Sequence, residues 1–409
     1  MKPIVTDEFI KAIPKTDLHL HLDGSLRLST LIELARAQGV KLPSYEEAGL
    51  QESVFKSSYA SLKEYLRGFM FTTAVLQDAE SIERVACELA EDSIAEGVRY
   101  IEVRFAPQLH VRNGVDTKDV IRAVGSGLER AGRAHNNRPE VREGEDLPFV
   151  FGIIVCAMRT FNRNMGPYFS KLTSVLPGTT KKELVSIASH EMARLTVAAR
   201  DQEGLPVVGF DLAGEEAGYP AAYHTRAYQY AHSHFMKKTV HAGEAYGPES
   251  IFQAITECHA NRIGHGTFLF STKMIKNRSI KNPEDYIQRL AEYIASQRIT
   301  MEVCLTSNLQ TIPSISTFPE HPLHRMLEHD LSISICTDNR LVSHTTVSQE
   351  LGLVARHMPV TRRQFRNLVI AGFKGSFFPA PYSEKRTYVR NMTYLYDALA
   401  RDLPPEDES

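Results

Sequence analysis

The sequence predicts an α/β protein: a (β/α)8 TIM barrel with an insertion after the first strand and extra C-terminal helices. Eight short apolar runs alternate with longer stretches of helical periodicity, a pattern typical of a parallel sheet built from βα units. The chain has 409 residues, of which 43% are hydrophobic, enough for one barrel core. We therefore expect one domain over residues 1–409, with the barrel at about 14–345 and terminal helices at about 346–401.

Each candidate strand is a run of apolar and β-branched residues bounded by polar or turn-forming positions. The eight runs are Thr16–Leu22, Val98–Phe105, Phe149–Val155, Pro206–Leu212, Lys238–Ala242, Arg262–His265, Ile299–Leu305 and Leu331–Thr337. Eight is the number of strands that closes a β/α barrel.

Helical periodicity fills the stretches between the strands. Ile82, Val85, Leu89 and Ile94 follow the 3.6-residue spacing, and Gly97 then ends that helix. The spacing recurs before the seventh strand, at Ile287, Leu290, Ala291 and Ile294. Further helices are predicted at Leu28–Gln38, Ser61–Leu76, Thr361–Gly375 and Tyr382–Arg401.

The first crossover is too long for one helix, because roughly 75 residues separate the first two strands. An insertion on this face of a barrel is suited to cover a site. Leu62, Tyr65, Leu66 and Phe69 share a helical face there, either as core residues or as an apolar wall over a ligand. The polar loop Asn136–Asp146 and the acidic tail Asp402–Ser409 are predicted to be solvated, the tail as a frayed end.

Composition excludes several classes of function. The formal net charge of −2 provides no basic field for nucleic acid or a membrane surface. The five cysteines are far apart and odd in number, which argues against a disulfide framework and favours a reducing compartment. No apolar run has the length of a signal peptide core or a membrane span. We therefore expect a cytoplasmic protein.

The segment Thr16–Ser25 carries the most informative motif, a pair of histidines two residues apart. Side chains alternate between the two faces of a strand, so His19 and His21 point the same way. An isolated pair of this kind is as well explained by the solvent-facing end of a strand. The metal interpretation therefore depends on ligands elsewhere.

Three other predicted strands also end in candidate ligands, which are His241, His265 and Asp338. In a β/α barrel the chemistry lies at the C-terminal ends of the strands, so these side chains are expected to meet. Three imidazoles and one carboxylate suit Zn²⁺. We predict one Zn²⁺ per chain, held by His19, His21, His241 and Asp338. No lysine ends the fourth strand, where a modified lysine would bridge a second metal.

Seven sequence blocks give the chain a strong resemblance to the adenosine deaminase family of the amidohydrolase superfamily. In chain order they are DLHLHLDGS, IEVRFAP, GFDLAGEE, HAGE, RIGHGT, MEVCLTSNL and ICTDN. The resemblance implies these zinc ligands, a catalytic glutamate at Glu244 and a histidine beside the attacking water at His265. It also implies nucleoside contacts from His21, Asp23, Gly214 and Asn339.

These residue types suit hydrolytic deamination of adenosine, and of 2′-deoxyadenosine, to inosine and ammonia, a purine salvage reaction. Zinc lowers the pKa of a bound water to about 7. Glu244, in a closed apolar site, is expected to stay protonated and to donate to purine N1 while hydroxide adds at C6. His265 and Asp338 hold the attacking oxygen from the other side, with Asp338 accepting a proton. Glu302 and Ser307 are candidate hydrogen-bond partners of the histidines, with ordinary polar positions of the barrel as the alternative.

Three positions bear on the substrate. Asp23 is expected to accept hydrogen bonds from ribose hydroxyls, which favours a nucleoside over the free base. Gly214 lets the backbone approach the purine, so that its N–H can donate to N3. Asn339 stands where many family members have an aspartate, and its amide can donate to N7 without needing a proton.

Other functions stay open beside this one. A deaminase of a modified adenosine, such as aminodeoxyfutalosine or an N6-substituted nucleotide, would use the same core residues. AMP would need a phosphate site, and no Gly-rich loop or basic cluster accompanies Asp23 in the sequence. Nucleic-acid deaminases carry H-x-E with P-C-x-x-C, which is missing here. A non-catalytic nucleoside-binding protein would have no need of the full set of ligands and Glu244.

Overall fold

Eight parallel strands form the centre of the fold, in the order in which they occur in the chain. The computed structural model describes residues 4–112 and 115–403, without the side chains of residues 62 and 63. The strands are β1 Lys15–His21, β2 Val98–Phe105, β3 Val150–Met158, β4 Val207–Ala213, β5 Lys237–Ala242, β6 Arg262–His265, β7 Thr300–Val303 and β8 Ile333–Ile335. The predicted TIM barrel is confirmed.

The barrel closes where β1 meets the residues that follow β8. The Asp338 N–H donates to the His19 carbonyl at 2.8 Å, and the His21 N–H donates to the Asp338 carbonyl at 2.8 Å. These two bonds bring the histidine pair of the first strand beside the carboxylate that follows the last one. Closure of the barrel and assembly of the site therefore depend on the same contact.

The strand boundaries differ from the predicted ones mainly at β3, β7 and β8. β8 is two residues shorter at each end, Ile333–Ile335 instead of Leu331–Thr337. β3 runs on to Met158 because its outer residues pair with β4 as far as Ala213. β7 stops at Val303, although the sequence favoured a strand through Leu305. A helix begins at Leu305, where the Glu350 carboxylate accepts the Thr306 N–H at 3.2 Å and so stabilises the helix N-terminus.

Helices surround the sheet and fill the crossovers. The α-helices are Asp7–Ala12, Leu28–Gln38, Glu47–Ser53, Leu62–Tyr65, Phe69–Val75, Ala79–Ala95, Thr117–Asn136, Pro139–Arg142, Pro167–Val175, Lys181–Asp201, Thr225–Ser233, Pro248–Thr256, Pro283–Ser296, Leu305–Thr311, Leu323–Glu328, Val347–His357, Arg362–Gly375 and Tyr382–Leu399. Pro139–Arg142 lies inside the polar loop after residue 136, and most of the acidic tail lies outside the described residues.

The helical pattern predicted near Ser61–Leu76 is confirmed, although it is not a regular α-helix throughout. A 3₁₀ turn at Leu66–Gly68 lies between the α-helical segments Leu62–Tyr65 and Phe69–Val75. Gly68 disfavours a continuous α-helix. It packs closely on the insertion, since a Cβ at this position would lie 3.0 Å from the Phe55 ring.

The C-terminal helices close the barrel at the end opposite the strand-end ligands. Between Arg362–Gly375 and Tyr382–Leu399, the Phe377 N–H donates to Glu102 inside the barrel at 2.5 Å. The Arg262 guanidinium lies 3.6 Å from the centre of the Phe377 ring. This end is therefore filled by side chains, and substrate access is left to the other end.

All five cysteines are buried and free. In the part of the chain that the structure describes, no helix combines the length and the apolar character needed to cross a membrane.

Candidate active site

The predicted ligands meet at the C-terminal end of the barrel, as the strand-end argument requires. His19 and His21 end β1, His241 lies on β5, His265 ends β6 and Asp338 follows β8. All five side chains are buried. Ligand atoms of four of them, His19, His241, His265 and Asp338, lie within 4.8 Å of one another.

His21 also lies against this cluster. Its Nε2 is 3.2 Å from His241 Nε2 and 3.5 Å from Asp338 Oδ1. His19 Nε2 is 3.4 Å from Asp338 Oδ1, is buried, and has no hydrogen-bond partner in the part of the chain that the structure describes. Burial lowers the pKa of both His21 and His241, which keeps their imidazoles neutral, as metal binding requires. The cluster is therefore compatible with a bound metal ion.

Two of these residues, His265 and Asp338, have a left-handed backbone conformation. The φ angle is +64° at His265 and +64° at Asp338, a conformation that costs a residue with a side chain about 1–3 kcal/mol. Gly243 and Gly266 beside the cluster have positive φ as well. Such strained turns at strand ends are common at functional sites, since they direct side chains into the site.

Buried carboxylates hold two of the histidines in place. His19 Nδ1 is 2.8 Å from Glu302 Oε2, and His241 Nδ1 is 3.0 Å from Asp211 Oδ2. Arg104 joins the two carboxylates, with distances of 2.8 Å to Glu302 and 2.9 Å to Asp211. A carboxylate on one ring nitrogen fixes the proton there and leaves the other nitrogen free for a metal.

The charge on these carboxylates is maintained by cations inside the barrel. Burial alone would raise the pKa of Glu302, but Arg104 and Arg262 hold it well below its ordinary value. Ser307 donates to Asp338 Oδ2 at 2.6 Å, which leaves Oδ1 facing the histidines. Glu302 is therefore confirmed as a partner of a histidine, His19. Ser307 was predicted to contact a histidine as well, but its partner is the Asp338 carboxylate.

Glu244 lies just beyond β5, with its carboxylate 4.0 Å from His265 Nε2. Burial, together with the negative charges of Asp338 and Glu216, raises the pKa of Glu244 to about 8. Its carboxyl group is therefore protonated at neutral pH in this environment. A buried, protonated carboxyl group is suited to donate a proton.

Glu216 holds the loop that carries Glu244. Its carboxylate accepts the backbone N–H groups of residues 243 to 246 at 2.6–3.0 Å and the Ser250 hydroxyl at 2.6 Å. The side chain is buried, so this anion is satisfied entirely by the loop. The backbone on either side of Glu244 is thereby fixed.

A cavity of about 720 Å³ opens above the cluster. Its floor includes His21, His241, Glu244, His265 and Asp338. The other predicted substrate contacts, Asp23, Gly214 and Asn339, line the same cavity. The structure thus brings together every predicted site residue that was assigned to metal, catalysis or substrate.

Asp23 lines the cavity and is buried. Burial, followed by the charge of Asp338, raises the pKa of Asp23 to about 7. His110 lies beneath it, with Nε2 3.9 Å from Asp23 Oδ2. His110 Nδ1 donates to the Leu76 carbonyl at 3.0 Å, and its buried Nε2 has no hydrogen-bond partner among the described residues. No sequence pattern indicated that His110 would lie here.

The insertion after β1 forms one wall of the cavity. Tyr65, Leu66 and Phe69 line it, and they also pack in or against the hydrophobic core, so both predicted roles apply to these residues. The side chain of Leu62 lies outside the described residues. Asn339 Nδ2 donates to the Tyr65 hydroxyl at 2.8 Å, so one of its two amide N–H groups is already used.

Asp211, Arg104, Glu216 and His110 are the site residues that the sequence did not single out. Three of them are ionised side chains within or next to apolar strands, which is itself a signal that they are paired. The sequence does not identify the ion-pair partners, since Arg104 pairs with residues more than 100 positions away.

The family is shown by comparison with known proteins. A family model described as adenosine deaminase matches residues 14–390. The chain belongs to the adenosine deaminase family. It is 34% identical to adenosine deaminase 1 of Streptomyces coelicolor over 374 residues, covering 90% of this chain and 84% of that protein. It is 33% identical to adenosine deaminase of Clostridium kluyveri, covering 91% of each.

Solved structures of the family share the fold. The crystal structure of an N6-mAMP deaminase from Arabidopsis has a TM-score of 0.70 and 26% sequence identity, covering 96% of this chain and 99% of that one. Family membership makes the chain a hydrolytic deaminase that acts on a C–N bond. The family comparison leaves the choice of purine substrate open.

Proposed function

We propose that this protein deaminates adenosine and 2′-deoxyadenosine to inosine and ammonia, using one Zn²⁺ held by His19, His21, His241 and Asp338. The single observation that carries the proposal is the joint position of this cluster, the buried Glu244 and Asp23 on one cavity. The reaction suits purine salvage in the cytoplasm.

The separations within the cluster fit ligands that share one ion. With metal–ligand bonds of about 2.1 Å, neighbouring ligand atoms on one Zn²⁺ lie about 3–3.5 Å apart. The three measured separations, 3.2 Å for His21 to His241 and 3.4 Å and 3.5 Å for His19 and His21 to Asp338, have this length. The unpartnered Nε2 of His19 needs such a ligand.

The chemistry divides between the ion and the protein. When bound, Zn²⁺ supplies a nucleophile at neutral pH by lowering the pKa of water. Glu244 donates a proton to N1, which withdraws electron density from C6 and so prepares C6 for attack. Asp338 accepts a proton and His265 orients the attacking oxygen. Glu216 keeps Glu244 in place through the backbone of its loop.

The nucleoside is recognised by three groups on the cavity wall. Asp23 accepts a hydrogen bond from a ribose hydroxyl, Gly214 donates its N–H to N3, and the free N–H of the Asn339 amide donates to N7. Gly214 has φ +98°, so this backbone favours glycine. The apolar side chains of the insertion exclude water from the purine.

A purine nucleoside 5′-monophosphate is a second candidate substrate. Arg112 and Lys181 both line the cavity, a pair of cations that the sequence did not associate with Asp23. Both side chains are exposed, toward the outer part of the cavity. The family relative from Arabidopsis named N6-mAMP deaminase acts, by its name, on a monophosphate.

A substrate panel decides between these candidates. Purified zinc-loaded protein is given adenosine, 2′-deoxyadenosine, adenine, AMP, N6-methyl-AMP and aminodeoxyfutalosine, and kcat/KM is measured from ammonia release. We expect adenosine and 2′-deoxyadenosine to have the highest values. A preference for either monophosphate, lost in an Arg112→Ala/Lys181→Ala double variant, would replace the nucleoside with the nucleotide. Failure to release ammonia from any of the six would contradict the proposed function.

A further inference from the structure

A chain of buried hydrogen bonds leads from a helix N-terminus to His265. The backbone N–H of Leu323 donates to His321 Nδ1 at 3.1 Å. His321 Nε2 lies 3.2 Å from Asn308 Oδ1, and Asn308 Nδ2 lies 3.0 Å from His265 Nδ1. All three side chains are buried. Solvent therefore does not compete for these hydrogen bonds.

The hydrogen bond from Leu323 to His321 determines which group donates in each of the others. A backbone N–H can only donate, so His321 Nδ1 is the acceptor and the His321 proton lies on Nε2. Burial lowers the pKa of His321 to about 3, so the ring carries only that one proton at neutral pH. His321 therefore donates to the oxygen of Asn308, which directs the Asn308 amide nitrogen toward His265.

The amide nitrogen of Asn308 is a donor without a lone pair to offer. His265 Nδ1 must therefore accept, and a neutral His265 then carries its proton on Nε2. We propose that Asn308 and His321 are positioning residues that fix His265 as the Nε2–H tautomer. This chain of hydrogen bonds, from Leu323 through His321 and Asn308 to His265, is called the relay below.

The relay assigns His265 a definite task. Nε2 is the ring atom that faces the cavity floor, 4.0 Å from the Glu244 carboxylate. With a proton there, His265 donates a hydrogen bond to an oxygen in the site. This step rests on the proposed function, in which that oxygen is the attacking one. The opposite tautomer would present a lone pair at Nε2 and could not donate a hydrogen bond to this oxygen.

The relay also indicates whether His265 or His21 is the third imidazole ligand of the metal. By distance alone, His265 groups with His19, His241 and Asp338 as a potential ligand. A protonated Nε2 has no lone pair for a metal, and Nδ1 is occupied by Asn308. His19 and His241 differ from His265, because each has a carboxylate on Nδ1 and so keeps a lone pair on Nε2. His21 thus remains as the third imidazole ligand.

The tautomer can be read directly by NMR. In full-length zinc-loaded protein labelled with ¹⁵N-histidine, long-range ¹H–¹⁵N correlations show which ring nitrogen is protonated. The signals missing from a His265→Asn variant identify His265. We expect Nε2–H in the wild type and Nδ1–H in Asn308→Asp, whose carboxylate can only accept. A wild-type Nδ1–H, or the same tautomer in both proteins, would overturn the proposal.

Kinetics provide a second readout that a purely structural role would not move. Asn308→Asp is expected to lower kcat about 10- to 100-fold, with little change in KM. His321→Leu is expected to do the same, whereas His321→Gln keeps a donor toward Asn308 and keeps the wild-type rate. Equal kcat losses in His321→Leu and His321→Gln would count against the relay.

A matched control is available at the opposite end of the barrel. Asn136 is hydrogen-bonded to both backbone groups of Phe149, at 2.7 Å and 3.0 Å. Asn136→Asp removes the same kind of donor and is expected to lower Tm without lowering kcat. The NMR result does not depend on turnover. If the protein released no ammonia, the proposed function would be contradicted, and the tautomer of His265 measured by NMR would still test the relay.

Discussion

Replacing Glu244 by glutamine is expected to reduce deamination about 10²- to 10⁴-fold, the contribution of a positioned acid or base. Glutamine is nearly isosteric, so it keeps the contacts of the side chain but cannot release a proton to N1. Because Glu244 is no metal ligand in this account, the variant is expected to bind one Zn²⁺ per chain. The measurement is kcat with adenosine, together with the metal content and Tm.

Glu203→Gln is the matched control for that variant. Glu203 pairs with Lys118 at 2.6 Å, outside the cavity, so the same substitution there is expected to leave kcat unchanged. Wild-type turnover in Glu244→Gln would show that the proton comes from another group. Loss of zinc together with turnover would show that Glu244 serves the metal instead.

Replacing His241 by alanine is expected to remove both zinc and turnover. The change deletes one of four ligands. It also removes the imidazole that contacts Asp211, whose remaining ionic partner among the described residues is Arg104. The loss of activity should exceed the roughly 10- to 100-fold effect that follows when a hydrogen-bond partner of a ligand is replaced. Metal content by mass spectrometry and kcat with adenosine are measured on the same sample.

An exposed histidine provides the comparison for His241→Ala. His232 stacks on His259 at 4.4 Å between ring centres, away from the cavity. His232→Ala is expected to keep full zinc content and activity. If His241→Ala retained both as well, the proposed ligand set would be wrong.

The strand-end residues of the site were predictable because their signal is local. His19, His241 and His265 each lie at or near the end of a short apolar run, and parallel strands bring those ends to one edge of a barrel. Eight such runs were enough to predict the fold. The regular alternation of helix and strand leaves little freedom in how they are arranged.

The residues that position the ligands were less predictable, because their partners are distant in sequence. Arg104 reaches Asp211 and Glu302 only after the barrel has closed. The 3₁₀ turn at Leu66–Gly68 was not predictable for a related reason. The packing of Gly68 on Phe55 does not show in the local helical pattern of that segment.

The relay illustrates the same limit. Asn308 and His321 are unremarkable polar residues in the sequence, 13 positions apart and on either side of a turn. Their importance arises from burial and from a single backbone N–H that sets the direction of the hydrogen bonds. No periodicity in the sequence carries such information.

The central claim, a deaminase with one metal ion, is tested most directly by titrating Zn²⁺ into metal-free protein while measuring the conversion of adenosine to inosine and ammonia. The account predicts no turnover without metal and a linear rise in rate that reaches a plateau at one equivalent per chain. Full turnover by the metal-free protein, or a plateau only at two equivalents, would contradict it.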